Sequence, residues 1–339
     1  MNEVSRARES SSVSGSLGTT RSVRYGAWVL DTFERYELDT TQLARQLETL
    51  PGSYDGPTRV MASPYGVIGF GEGALAAELT REFIDDGSVA GGTQFILSGG
   101  MDFGAVEAAA LISEAGGATV FAMGSQSGFQ AEVSSDEASI QLGDDNDSVT
   151  RVAPSALATY HYALALAHMT GNAGKAQAVD AALSALRDTC GSSIPTESNP
   201  AKQLAWKLWT RTPLLIPSGG FALQPMVWQI SLSRLGKSIS IPVPLNALEV
   251  IASGFEARHE SGDALVALFL GGEDERLRVA RELLETRVDE VIEVGTSEPD
   301  LFAANMALWY LSLWVGYYLS LMYSVDPQDS SSLKGLRGE

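Results

Sequence analysis

Short apolar runs alternate along this chain with segments whose apolar positions recur every three or four residues. Residues 65–70 (YGVIGF) form the first run, which ends in glycines, and 72–85 then carry helical spacing. A second run at 94–97 (QFIL) leads into Ser98-Gly99-Gly100, with a helical stretch at 105–115. Runs at 118–123 (ATVFAM) and 139–142 follow, then Ala-rich helical segments at 154–169 and 175–187. Residues 190–200, with Gly, Ser, Pro and Asn, break the pattern, and it restarts. A strand at 212–217 (TPLLIP) ends at Ser218-Gly219-Gly220, and 222–235 is helical. A short strand at 239–243, another at 264–270 (ALVALFL), a helix at 273–286 and a strand at 290–294 complete the second unit. Upstream, 25–50 reads as two short helices. Apolar strands alternating with helices predict an α/β fold of two domains, each a parallel sheet flanked by helices in three layers. The expected divisions are a disordered tail at 1–22, an N-terminal domain at 23–188, a linker at 189–200 and a C-terminal domain at 201–339.

One segment competes with that picture. Residues 301–323 (LFAANMALWYLSLWVGYYLSLMY) carry no charge and are long enough to span a bilayer. Asp300 and Asp326 flank the segment, with no nearby Lys or Arg to orient it, and it contains Asn305, Ser312, Gly316 and Ser320. The reading adopted is a helix buried in a core or subunit interface, so no membrane partner is expected.

Charge and cysteine content narrow the function classes. With 42 acids against 23 bases the formal net charge is −19, and no Lys/Arg run offers a stripe for nucleic acid. An anionic ligand must therefore be held by local donors rather than drawn in by the field of the whole chain. The one cysteine, Cys190, excludes an internal disulfide and suits a reducing cytoplasm.

The candidate chemistry sits where strands end in glycine. In parallel sheets ligands bind at the carboxyl ends of strands, and glycine there lets the backbone approach a phosphate. Three junctions fit: Gly69-Phe70-Gly71-Glu72-Gly73-Ala74, Ser98-Gly99-Gly100 and Ser218-Gly219-Gly220. The first also fits the dinucleotide fingerprint, which predicts an acid at the end of the next strand. That strand ends in Ser98-Gly99-Gly100 instead, which suits phosphate better than ribose, so a nicotinamide-dependent enzyme is the lesser alternative.

Across residues 65–334 the layout resembles the SIS (sugar isomerase) superfamily, in particular the bifunctional phosphoglucose/phosphomannose isomerases. The matching stretches are YGVIGFGEGA, ILSGG, EARHESGDALVALF and VDPQDSSSLKGL, the last following the long apolar helix. The resemblance implies two SIS-type domains, a homodimer with sites at the subunit interface, a sugar-phosphate ligand and no cofactor or metal. With the three strand–glycine junctions, it assigns phosphate binding to Gly69, Gly71, Gly73, Ser98, Gly99, Gly100, Ser218 and Gly219. The implied reaction is aldose–ketose isomerisation, in which a base moves a proton between C1 and C2 through an enediol and another group opens the ring. His259 matches the ring-opening histidine and Lys334 the terminal lysine; an alignment anchored on Lys237 places Glu249 or a neighbour at the histidine position instead.

Departures from the family pattern are specific. Gly100 stands where a second serine is expected, Met101, Asp102 and Phe103 replace the rest of that loop, and Gly73 replaces a serine of the first loop. Glu72 adds a carboxylate beside a prospective dianion. Counting back from Lys237, the catalytic glutamate falls on Arg234, leaving Glu249 and Glu256 as substitutes. A non-catalytic sugar-phosphate-binding or regulatory protein is therefore the alternative function.

The remaining candidates read as structural. His161 and His168 lie on the Ala-rich helix with no carboxylate at ligand spacing. Gly124-Ser125-Gln126-Ser127-Gly128 has the outline of a hydrolase elbow, but Gln126 occupies the nucleophile position. The Trp and Tyr residues of 301–323 read as packing.

Overall fold

The computed structural model describes residues 30–31, 41–71, 73–98, 103–124, 139–141, 154–243, 247–254, 264–272 and 274–329. Two parallel sheets carry the chain. The first is built from β1 (Tyr65–Phe70), β2 (Asp85–Asp86), β3 (Thr93–Ser98), β4 (Thr119–Gly124) and β5 (Ser139–Gln141), in the order β2-β1-β3-β4-β5. The second holds β6 (Thr212–Pro217), β7 (Ile241–Pro242), β8 (Leu265–Leu270) and β9 (Glu290–Val294), in the order β7-β6-β8-β9. Among the described residues the second sheet thus repeats the order of the first without its last strand, and every pairing is parallel.

Both faces of each sheet are covered, as near-continuous apolar strands require. On the first sheet, Phe95 and Leu97 of β3 pack with α4 (Pro154–Met169), while Ile96 joins Val106 and Ala110 of α3 (Phe103–Ala115). On the second, Leu215, Val266 and Leu268 face one cluster, and Leu214, Ile216, Ala267 and Phe269 face the other. The latter is roofed by Ile251 of α8 (Ala247–Gly254) and Ala280 and Leu284 of α9 (Arg278–Leu284).

The long apolar segment is α10 (Leu301–Met322), and it is the centre of the molecule. Every residue of it is buried except Leu301 and Asn305. It packs on α5 (Ala173–Cys190), α6 (Pro200–Leu208) and α7 (Gln224–Arg234). Its tyrosines find partners within the core: Tyr310 donates to the Leu47 carbonyl on α1 (Thr41–Thr49) at 2.5 Å, and Tyr318 to the Cys190 carbonyl at 2.6 Å. Ser312 donates to the Ser231 hydroxyl at 2.7 Å. Where α10 meets α7, a Cβ on Gly316 would lie 3.0 Å from the Ser231 carbonyl and 3.1 Å from Leu235, so glycine permits the close approach. Among the described residues no helix is long and apolar enough to cross a membrane.

Side-chain clusters tie the two halves together. Lys175 donates to Glu82 and to Asp300, each at 2.6 Å, and Phe83 meets Phe302 edge to face at 5.0 Å. Lys202 is buried; its ammonium donates to Asp31 at 2.9 Å and to the carbonyls of Ser192 and Ile194. Burial works to raise the Asp31 carboxyl, but hydrogen bonds from Lys202 and Thr196 outweigh it and hold it below its ordinary value.

Four elements differ from the sequence reading. The helix expected at 273–286 is a 3₁₀ turn, Glu275–Leu277, capped by Asp274, followed by the shorter α9. The helix expected at 72–85 is α2 (Gly73–Leu79); the Thr80 hydroxyl bonds back to the Ala76 and Ala77 carbonyls, and the chain turns to pair Asp85 and Asp86 with β1. Helix α6 begins inside the stretch read as a break, capped by Asn199, whose side chain accepts from the Lys202 N–H at 2.9 Å. Helix α8 is additional. The tail at 1–22 lies outside the described residues.

Candidate functional site

In both sheets the chain leaves the first strand to one side and returns on the other, so a crevice forms between the carboxyl ends of β1 and β3, and again between β6 and β8. In the first sheet Phe70 pairs with Ser98 and Ser98 with Gly124, which places these three residues on one rung at the strand ends. Gly69, Gly71, Gly73 and Ser98, named from the sequence, converge on this edge; Glu72, Gly99 and Gly100 lie outside the described residues.

The glycines have separable roles. Gly71 has φ 52°, the left-handed conformation that favours glycine, and it turns the chain out of β1. A Cβ on Gly69 would lie 2.5 Å from the Ala74 Cα, and one on Gly73 would lie 2.6 Å from the Leu97 carbonyl carbon and oxygen. Both of these glycines let α2 sit against β1 and β3.

Ser98 is buried, and its carbonyl accepts a hydrogen bond of 2.8 Å from the hydroxyl of Tyr162 on α4. Tyr162 is fully buried and was not anticipated from the sequence. The only available signal was that a phenol within an otherwise Ala-rich, apolar helix must find a polar partner.

The second crevice is arranged differently. The Ser218 N–H donates to the Leu270 carbonyl at 2.9 Å, and the Ser218 hydroxyl to the Gly272 carbonyl at 2.9 Å. The Gly219 N–H, at φ 51°, donates to the Asp274 carboxylate at 2.9 Å. The groups assigned to phosphate at Ser218 and Gly219 are therefore engaged within the chain. Hydrogen bonds from the Arg276 side chain, and then from the Gly219 N–H, hold the Asp274 carboxyl well below the usual carboxylate range.

Of the prospective acid–base groups, Glu249 alone falls within the described residues. Glu249 is exposed on the first turn of α8, on the face of the second sheet opposite α10. His259, Glu256 and Lys334 lie outside the described residues. Arg234 ends α7, about 15 Å along that helix from its start beside Ser218-Gly219. Lys237 donates to the Asp329 carbonyl at 2.5 Å.

The other two histidines pack in one place. Tyr54 stacks on His168 at 5.3 Å and tilts against His161 at 5.7 Å. The His161 Nε2 lies 3.4 Å from the Ser53 hydroxyl and its Nδ1 lies 3.9 Å from Asp55. Among the described residues no group of three or more His, Cys, Asp or Glu is placed to hold a metal ion.

Comparison with known proteins agrees along most of the chain. The family model for the phosphoglucose isomerase N-terminal domain matches residues 43–171, and that for the bacterial phospho-glucose isomerase C-terminal SIS domain matches residues 197–339. A bifunctional phosphoglucose/phosphomannose isomerase of Caldicellulosiruptor bescii is 26% identical over 157 residues, covering 43% of this chain and 45% of that protein's length. The crystal structure of a glucose-6-phosphate isomerase like protein from Thermus thermophilus superposes with a TM-score of 0.74 at 36% identity, over 91% of this chain and 98% of that one. Glucosamine-6-phosphate deaminase from Thermotoga maritima shares the fold at a TM-score of 0.55 and 10% identity, over 91% of this chain and 96% of that one.

Proposed function

Because the chain belongs to the bacterial phosphoglucose isomerase family of SIS-domain proteins, we propose that it binds a hexose 6-phosphate at the carboxyl ends of β1 and β3. The observation that carries this reading is the first sheet's crevice. A left-handed Gly71 turns the chain out of β1 beside Ser98, whose carbonyl is fixed by Tyr162. Backbone N–H groups of glycine turns suit phosphate oxygens, and local donors are what a chain of net charge −19 requires for a dianion.

The reaction such binding serves is aldose–ketose isomerisation of glucose or mannose 6-phosphate, with His259 opening the ring, Lys334 stabilising charge and Glu256 or Glu249 moving the C1–C2 proton. A second reading, a sugar-phosphate-binding protein without turnover, is favoured by Arg234 at the family's base position and by the exposure of Glu249. The proposal includes a cytoplasmic homodimer, for which Leu111 and Ile112 of α3, 60% and 64% exposed, offer an apolar surface. It also includes the division into domains at 23–188 and 201–339.

Calorimetry with glucose, mannose and fructose 6-phosphates, together with a coupled assay on fructose 6-phosphate, tests these readings. Turnover abolished by His259→Ala supports the isomerase. Binding without turnover leaves the second reading. Absence of binding by any hexose or hexosamine phosphate overturns both, and a thermal shift with NAD(P) alone points to the nicotinamide alternative.

A further inference from the structure

The second sheet repeats the strand order of the first, and its first strand also leads into a left-handed glycine, with Gly219 at φ 51° against Gly71 at φ 52°. The two crevices are thus topologically equivalent. At the second, the donors of Ser218 and Gly219 are used: the Ser218 N–H and hydroxyl by the Leu270 and Gly272 carbonyls, and the Gly219 N–H by Asp274.

Asp274 reaches this position from the loop after β8, the opposite wall of the crevice. Its two oxygens do different things. Oδ1 accepts from the Arg276 N–H at 3.0 Å and so caps the 3₁₀ turn Glu275–Leu277, and it also accepts from the Arg276 Nε at 3.0 Å. Oδ2 extends away from that turn to the Gly219 N–H at 2.9 Å and accepts from the Arg276 Nη2 at 2.7 Å. A capping role alone needs only the first oxygen. The Asp274 side chain is 10% exposed, whereas that of Arg276 is 76% exposed. The loops also close on each other, since a Cβ on Gly271 would lie 2.3 Å from the Phe221 ring and 2.8 Å from the Ser218 hydroxyl oxygen.

We propose that Asp274 is a built-in anion that closes the second crevice, so that the chain takes up one anionic ligand, at the first sheet, rather than two. Carboxylate and phosphate oxygens accept the same N–H and guanidinium donors, and Arg276 pairs with either through its planar fork. Removing the carboxylate uncovers an anion site made of the Gly219 N–H and the Arg276 guanidinium. The ligand count rests on the sugar-phosphate reading; the closure does not.

The test uses inorganic phosphate on the full chain. Asp274→Ser keeps an oxygen short enough to cap the 3₁₀ turn but unable to reach Gly219. Saturating phosphate is expected to raise its Tm by about 2–4 °C more than that of the unaltered chain. A further Arg276→Ala is expected to cancel the gain. Equal shifts in the variant and the unaltered chain, or a gain that survives Arg276→Ala, overturn the proposal. If Asp274→Ser does not fold, amide NMR of the unaltered chain decides: the Gly219 resonance is expected to stay fixed during a phosphate titration, and a saturating shift of it overturns the closure. Failure of the sugar-phosphate reading is separate, appearing as no response at Gly71 and Ser98.

Discussion

The hydroxyl of Tyr162 donates to the carbonyl oxygen of Ser98 at 2.8 Å, joining residues 64 positions apart where β3 ends and the candidate phosphate loop begins. The bond is fully buried, so water does not replace it when it is lost. Tyr162→Phe leaves the carbonyl without this donor and should lower stability by about 1–2 kcal/mol. It should also loosen the geometry of the strand end, raising Kd or KM for a sugar phosphate several-fold while kcat, if there is turnover, changes little. Equal losses in kcat and affinity, or none in affinity, would show that the bond serves packing alone.

Gly73 stands where the resembled family carries a serine, which invites the idea that restoring serine would restore phosphate affinity. The structure argues otherwise. A Cβ there meets the Leu97 backbone at 2.6 Å, and backbone cannot swing aside as a flexible side chain can. Gly73→Ser is expected to push α2 off β3 at a cost of about 1–3 kcal/mol and to weaken ligand binding, read by denaturant midpoint and calorimetry. A stable, tighter-binding variant would mean that the helix has room to shift.

The strands were legible in the sequence because an interior parallel strand is apolar on both faces: the runs at 65–70 and 212–217 coincide with β1 and β6, each flanked by strands on both sides. The long helix was legible for a different reason, since its embedded Asn305, Ser312, Gly316 and Ser320 suit a protein core better than lipid. The two-residue β2 carries no such signal, because Asp85 and Asp86 join the sheet edge through backbone pairing with β1. Helix α6 did carry one, Asn199 followed by Pro200, a cap residue and a first-turn proline, but the pair also reads as a break. At the candidate site, Gly71 and Ser98 are locally marked. Tyr162 and Asp274 are not, since each acts on a strand end distant in the chain.

Asp300 serves two purposes at the start of α10: it accepts from the Ala303 N–H at 2.9 Å as a cap, and it accepts from Lys175. Burial works to raise its carboxyl, yet the Lys175 and Ala303 hydrogen bonds prevail and hold it below its ordinary value. Asp300→Ser should keep the cap and lose the ion pair; Asp300→Ala should lose both. The expected losses are about 1 kcal/mol and about 2 kcal/mol respectively, with Lys175→Met, which also gives up the pair with Glu82, losing at least as much as the serine variant. High salt should narrow the gap between the unaltered chain and Lys175→Met, because these side chains are partly exposed. Identical losses for the serine and alanine variants would remove the cap from this account.

His161 is buried on α4, and its Nδ1 has no hydrogen-bond partner. Burial disfavours the imidazolium and lowers its pKa; the nearby Asp55 opposes this only in part, being itself almost wholly exposed. Tyr54, Tyr160, Ser53 and the stacked ring of His168 beyond Tyr54 add no negative charge at the ring. Unfolding therefore takes up a proton at a pH where the folded protein does not. Its contribution to stability is fully present above the ordinary histidine value of about 6.5 and is lost as pH falls from there through the folded-state pKa. Carboxylates such as Asp31 and Asp300, whose values are lowered, act in the same direction but only in the acid range below their own ordinary values. Urea midpoints measured between pH 7.5 and 5 should fall for the unaltered chain and fall less for His161→Gln, which keeps a polar group near Ser53 without the titration. Parallel pH profiles for the two proteins would mean that His161 titrates alike in the folded and unfolded chain.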